Sequence, residues 1–446
     1  MFFVHIGHFT LYLVAFVATA AAFAIFESYR NRKGNTSEPP SPVRLPIIGH
    51  LHLMSGYQVP YQAFTELSKK YGNVFKLQLG YVKCVVINGH KSIREALVTK
   101  GNHFDSRPNF ERYQQLFCAL AFCNWSTTQK TRRDMLKAYT FPRAFTNRFY
   151  TLEELIAIDT RSVISSINEG FLPTKPIISR ACANIFTRHF CSKNFDLADE
   201  TFIEMVENYD DIFYEVNQGY AADFLPFLMP FHEKNLKRIG NLTHRIRDFV
   251  LTHIIGTRFD DLDVESEPND YVDSLIKHIK SGESPELTWD SALFALEDII
   301  GGHSAVANFL VKLFAFLAKE PEVQINIQKE IDRVLGNKEV TISDRTLLPY
   351  TEATIFEAIR LIASPIVPRV ANRDSSIDGY QIEKGTVIFL NNYDLSMSLD
   401  LWDEPEKFKP ERFIRENRLI KPDHFLPFGG GRRSCMGYKM VQLLLS

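Results

Sequence analysis

One cysteine in this chain stands where it could hold a metal. The run Phe428-Gly429-Gly430-Gly431-Arg432-Arg433-Ser434-Cys435-Met436-Gly437 puts Cys435 in a glycine-rich, arginine-flanked loop, and an apolar helical stretch with Met440, Val441, Leu443, Leu444 and Leu445 follows. A thiolate that approaches a metal needs its charge offset by backbone N–H groups, and glycines let the backbone come close. A helix starting just past Cys435 would also aim the positive end of its dipole at the sulfur. The bland alternative is a buried structural cysteine in a tight turn. The remaining cysteines, Cys84, Cys118, Cys123, Cys182 and Cys191, form no CxxC pair and are too sparse for a disulfide framework. They are expected to be reduced and mostly buried, with no zinc site among them.

Other residues have types and spacings that bear on chemistry. Glu357 and Arg360 stand at i and i+3, so they share a helix face and can bond. Taken alone such a pair is usually a weak surface contact. Gly301-Gly302-His303-Ser304-Ala305 lies in a long apolar helical stretch. Its glycines would thin the helix where a flat ligand approaches. His303 is either a proton carrier or a packed ring. Glu297 and Asp298 read as surface or structural charges. Trp125 is followed by the basic residues Lys130, Arg132 and Arg133.

The elements that must position these residues are mostly helical. Tyr61 to Tyr71 reads as a helix, and residues 74–79 and 83–87 as strands around a Gly80-Tyr81 hairpin turn. From about residue 90 to 340 nearly every segment has helical periodicity, as in Pro321 to Leu335, which has proline at its start and Gly336 just past its end. Residues 379–382 and 386–390 return to strand character around Glu383-Lys384-Gly385. The expectation is a mainly α fold with small β-sheets (α+β), one large domain over 51–446. Residues 1–26 carry no Asp, Glu, Lys or Arg and approach the length of a membrane span, and 27–50 is a basic, proline-rich hinge. Arg30, Arg32 and Lys33 after the apolar run put the body on the cytosolic side, so Asn35, Asn124 and Asn241 should carry no glycan although each opens a sequon. The net charge of −2 excludes nucleic-acid binding driven by bulk basicity. The 36 phenylalanines suit a large interior or an apolar ligand cavity.

The Phe428–Gly437 run, Glu357-Ala358-Ile359-Arg360, Pro410-Glu411-Arg412-Phe413 and Phe104-Asp105-Ser106-Arg107-Pro108 together resemble the cytochrome P450 family over nearly the whole chain. The resemblance implies haem b ligated by Cys435, with Arg433, Trp125 and Arg132 on its propionates and Phe428, Gly431 and Gly437 shaping the loop. It implies Glu357, Arg360 and Arg412 as scaffold, and Gly302, His303, Ser304 and Ala305 on the oxygen side. NADPH-cytochrome P450 reductase would supply electrons, with cytochrome b5 a further candidate partner, at the endoplasmic reticulum membrane through a single-pass anchor. The run Glu297 to Asn308 and the stretch Leu348 to Pro368 resemble the Spook subfamily of arthropod P450s that form ecdysteroids. That likeness implies an apolar sterol derived from 7-dehydrocholesterol as substrate of an early oxidation.

Three departures from the family pattern stand out. Ser304 and Ala305 replace the acid and threonine that help typical members deliver protons to bound dioxygen. Gln129 stands where an arginine usually follows Trp125. The sequence stops at Ser446, so the helix after Cys435 is expected to be short and the domain C-terminally truncated. The alternatives to a monooxygenase are therefore a haem-thiolate isomerase or dehydratase that uses no O2, or an impaired haem- or ligand-binding protein.

Overall fold

A computed structural model describes residues 37–115, 122–144, 146–168, 173–282 and 284–445, together with Ala22. The expected anchor therefore lies outside the described residues apart from Ala22, as do Asn35 and Cys118. Residues 37–50 of the expected hinge are described, and they bond to the first strand. Lys76 N–H donates to the Pro40 carbonyl at 2.8 Å, and Gly49 bridges to Leu79. At Gly49 (φ +60°) a Cβ would lie 2.0 Å from the Gln78 carbonyl oxygen, so only glycine lets the two backbones meet.

Helix α1 (Pro60–Tyr71) leads into strands β1 (Val74–Leu79) and β2 (Val82–Ile87), paired antiparallel about the Gly80-Tyr81 turn. The helical body follows: α2 (Thr127–Thr140), α3 (Asn147–Asn168), α4 (Thr174–Cys191), α5 (Glu200–Asn217), α6 (Glu233–Phe249), α7 (Tyr271–Ser281), α8 (Trp289–Lys319), α9 (Pro321–Leu335) and α10 (Pro349–Ile362). The long α8 is capped by the Thr288 hydroxyl, which accepts from Ser291 N–H. Helix α10 starts at Pro349, and Glu330 of α9 accepts its first N–H groups, from Tyr350 at 2.9 Å and Thr351 at 2.8 Å.

Strands β3 (Arg369–Val370), β4 (Ser375–Ile377), β5 (Tyr380–Ile382) and β6 (Val387–Leu390) come next. The strands flanking Glu383–Gly385 do not pair with each other. β5 pairs with β4, while β6 runs parallel to β2 and antiparallel to β3 in a sheet of order β1-β2-β6-β3. Every residue of β6 is buried, as befits an interior strand. A two-stranded β7 (Ile414–Arg415) and β8 (Arg418–Leu419) precedes the Cys435 loop, and α11 (Tyr438–Leu445) follows it. Apolar residues of α2, α4, α5, α7, α8 and α10 share one core, and the sheet has its own.

Candidate functional site

The Cys435 loop is built by close backbone contact. Cys435 N–H donates to the Phe428 carbonyl at 3.0 Å, and the Phe428 ring packs 6.0 Å from that of Tyr438, the first residue of α11. Gly431 (φ +66°) lies so near the Leu97 carbonyl oxygen that a Cβ would meet it at 2.1 Å. That glycine therefore seats the loop on residues 95–99; the close approach expected here is to protein backbone. Gly437 differs, since a Cβ there would meet only a Val441 methyl, at 4.0 Å. Cys435 is solvent-accessible, and burial is the main cause pushing its thiol up. The Gly437 and Tyr438 N–H groups and the Arg133 charge act the other way. A metal cation on the sulfur would remove the thiol proton outright.

Guanidinium groups gather beside the loop. Arg433 donates to the Asp105 carbonyl at 3.0 and 2.8 Å and to the Cys123 carbonyl at 2.7 Å. Its guanidinium lies 5.4 Å from the Trp125 ring, and that of Arg432 lies 5.1 Å from the same ring. Arg107 donates to the carbonyls of Val367 and Pro368 at 2.9 and 3.0 Å. Arg369 is buried, and its Nε has no hydrogen-bond partner among the described residues. Of the three basic residues left open on α2, Arg133 reaches the loop, donating to the Ser434 carbonyl at 2.6 Å. Arg132, the expected one, is buried and acts on Tyr271. Burial first and neighbouring Arg433 second pull Arg369 down to about 9. Arg107 falls well below its usual value through burial, then Arg369 and Arg433. Desolvated like charges this close are costly, and a ligand with more than one carboxylate would relieve them. The residues thus fit a haem, with the sulfur for iron and the guanidiniums for propionates.

Helix α8 turns a mixed face to this region. Ala305 is exposed in an otherwise buried stretch, and Asp298, two turns earlier on the same side, acts electrostatically on Cys435 and Arg133. The glycines do not thin the helix for a ligand. A Cβ on Gly301 would lie 2.7 Å from the Tyr209 ring, and one on Gly302 3.0 Å from the Phe186 ring, so they admit α5 and α4. His303 is fully buried between those same rings, with Nδ1 on the Ile300 carbonyl at 2.7 Å and Nε2 without a partner among the described residues. Burial drives its pKa down to about 4, so the ring is neutral at physiological pH. Ser304, also fully buried, donates to the Asp210 carboxylate of α5. Glu297 pairs with Arg247 of α6 through both oxygens.

Glu357, Arg360 and Arg412 come together with almost no solvent. Arg360 donates from Nε and Nη2 to the two oxygens of Glu357 at 2.8 and 2.7 Å, and Arg412 Nε donates to the same carboxylate at 3.0 Å. Further bonds run from Arg360 to the Ser396 carbonyl at 2.6 Å and from Arg412 to the Asp403 carbonyl at 2.8 Å. The trio is a buried clamp on residues 396–412, unlike a surface pair.

Sequence reasoning missed Arg369, which follows a proline in no recognisable pattern, and Asp210, whose role depends wholly on α5 crossing α8. Arg107 lay in a quoted motif but had no assigned contact.

Comparison with known proteins agrees with this geometry. The family model described as Cytochrome P450 matches residues 39–445. The chain is 36% identical over 442 residues to Cytochrome P450 307a1 of Drosophila melanogaster, covering 91% of this chain and 81% of that protein. It is 29% identical over 460 residues to the steroid 17-alpha-hydroxylase/17,20 lyase of Ictalurus punctatus, covering 97% and 88%. Against Cytochrome P450 2E1 of Sus scrofa the identity is 29% over 452 residues, covering 97% and 89%.

Proposed function

Since this chain belongs to the cytochrome P450 family of oxidoreductases, whose members bind a cysteine-ligated haem b, we propose that it oxidises an apolar sterol at an early step of ecdysteroid formation. The observation that carries the haem assignment is the solvent-accessible Cys435, whose sulfur is met by the Gly437 and Tyr438 backbone N–H groups beside the Arg433–Arg369–Arg107 cluster. Likeness to the Drosophila protein and to a relative named for steroid hydroxylation supports the substrate class. When bound, the haem supplies dioxygen reduction and the insertion of one oxygen atom into the substrate.

In this reading Cys435 holds the iron, and Arg433, Arg369 and Arg107 hold the propionates, with Trp125 stacked beneath Arg433. Arg133 steadies the loop through the Ser434 carbonyl. Glu357, Arg360 and Arg412 keep residues 396–412 in place behind it. Exposed Lys130, Lys137, Arg432 and Lys439 on the cysteine side favour an acidic electron donor such as NADPH-cytochrome P450 reductase. Attachment to the endoplasmic reticulum membrane is supported by exposed Ile47, Tyr81, Phe227 and Phe231, the last 84% accessible. Their segments adjoin, with Tyr81 N–H donating to the Phe224 carbonyl at 2.8 Å.

The test is reconstitution with reductase, NADPH and a 7-dehydrocholesterol-derived sterol. The reading expects NADPH and O2 to be consumed in step with an oxidised sterol. A second reading, an isomerase or dehydratase, is favoured by Ala305 on the open side, which offers no hydroxyl there. Product formed without NADPH and O2 would establish it instead.

A further inference from the structure

The proposed oxidation leaves one atom of dioxygen in the sterol and the other in water, so protons must arrive in step with electrons. A pocket shaped for an apolar ligand has no bulk water to give them. His303 lies between the Phe186 and Tyr209 rings. Ser304, by contrast, opens a polar path leading outward. Its hydroxyl donates to Asp210, and Asn308 braces both, with Nδ2 3.2 Å from an Asp210 oxygen, 3.2 Å from the Ser304 hydroxyl and 2.9 Å from the Ser304 carbonyl. The other Asp210 oxygen pairs at 3.1 Å with Lys175 of α4, whose side chain is half exposed. Lys175 and Asp210 line a groove of about 650 Å³ between α4, α5 and α6 that is open to solvent. Asp211, Glu207, Arg238 and Arg245 share that groove.

We propose that Asp210 is the proton-relay residue of this protein, carrying protons from the α4–α5–α6 groove to α8 through Ser304. The inference rests on the O2-dependent reading above. A carboxylate with one oxygen at a wet lysine and the other on a buried hydroxyl joins water to the core in one step. A hydroxyl both donates and accepts, so Ser304 can release its proton as it takes another. The relay requires the serine hydroxyl to turn about χ1 from Asp210 towards the side that Ala305 lines. The acid has thus moved to a neighbouring helix, and the serine left on α8 is its contact.

The experiment uses the full-length, haem-loaded protein with reductase and sterol, as wild type, Asp210→Asn, Asp210→Glu, Ser304→Ala and, as a control in the same groove, Glu204→Gln. Asp210→Asn and Ser304→Ala should each lower product per NADPH at least about tenfold, release peroxide instead and change the solvent deuterium isotope effect. Asp210→Glu should recover most of the coupling, and Glu204→Gln should match wild type. Independently of turnover, thermal melting of the two single variants and the double variant should show less than additive losses, because one hydrogen bond joins the pair. Wild-type coupling and isotope effect in folded Asp210→Asn, or additive melting losses, would overturn the inference. A wild type that consumes no NADPH or O2 with sterol would instead defeat the functional reading and so be distinguishable.

Discussion

Arg360 holds both carboxylate oxygens of Glu357, at 2.7 and 2.8 Å, and neither side chain has any solvent exposure. Removing one member of such a pair leaves a desolvated charge behind. Glu357→Gln should therefore cost about 3–5 kcal/mol in denaturant melts, with a parallel loss of bound haem. A loss below about 1 kcal/mol would mean that the clamp behaves as a surface pair.

The guanidinium cluster makes a prediction of opposite sign in two states. Arg369 is buried, lacks a partner at Nε among the described residues and is pressed by Arg433. Arg369→Met should stabilise the haem-free protein, since it removes a desolvated charge. The same change should speed haem transfer to an acceptor protein. Unchanged transfer would show that Arg369 does not hold the propionates.

Two histidines should make the fold acid-sensitive. Burial lowers both His189 and His303 from 6.5 to about 4. The unfolded chain takes up protons in that window that the native rings refuse, so stability falls as pH drops from 6.5 towards 4. The loss is up to about 3 kcal/mol per ring, and neither ring adds to it below its native pKa. His303→Leu should flatten its share of the slope, measured as the wild-type minus variant difference in urea melts. Activity should persist in that variant, because the ring is packing rather than proton carrier.

The loop glycines separate by what their Cβ would meet. Gly431→Ala forces a methyl into the Leu97 carbonyl at positive φ, so it should cost at least about 2 kcal/mol and release haem. Gly437→Ala meets nothing closer than 4.0 Å in the protein itself, so haem-free stability should hardly change. Equal losses in both variants would contradict the contact described at Leu97.

What was legible in the sequence was what short-range rules determine. The strand expected over 74–79 has those bounds, the one expected over 83–87 begins one residue earlier at Val82, and α9 begins at a proline and ends just before Gly336. Glu357 and Arg360 had to share a face because they are one turn apart. The oxygen-side helix was harder. Gly301 and Gly302 looked like room for a ligand, but α5 and α4 bring Tyr209 and Phe186 into that space. Ser304 looked like a lost acid until α5 placed Asp210 against it. Arg133 and Arg132 are adjacent and chemically identical, so only the seating of α2 on the loop distinguishes them. Each of these depends on which helices cross, and no local pattern encodes that.

The central claim is that the sulfur at position 435 grips haem iron. It is tested most directly by the absorption spectrum of the reduced, carbon-monoxide-treated protein beside Cys435→Ser. Wild type should show the long-wavelength Soret band of thiolate ligation, and the serine variant should lose that band or the haem itself. An identical band in both proteins would contradict the account.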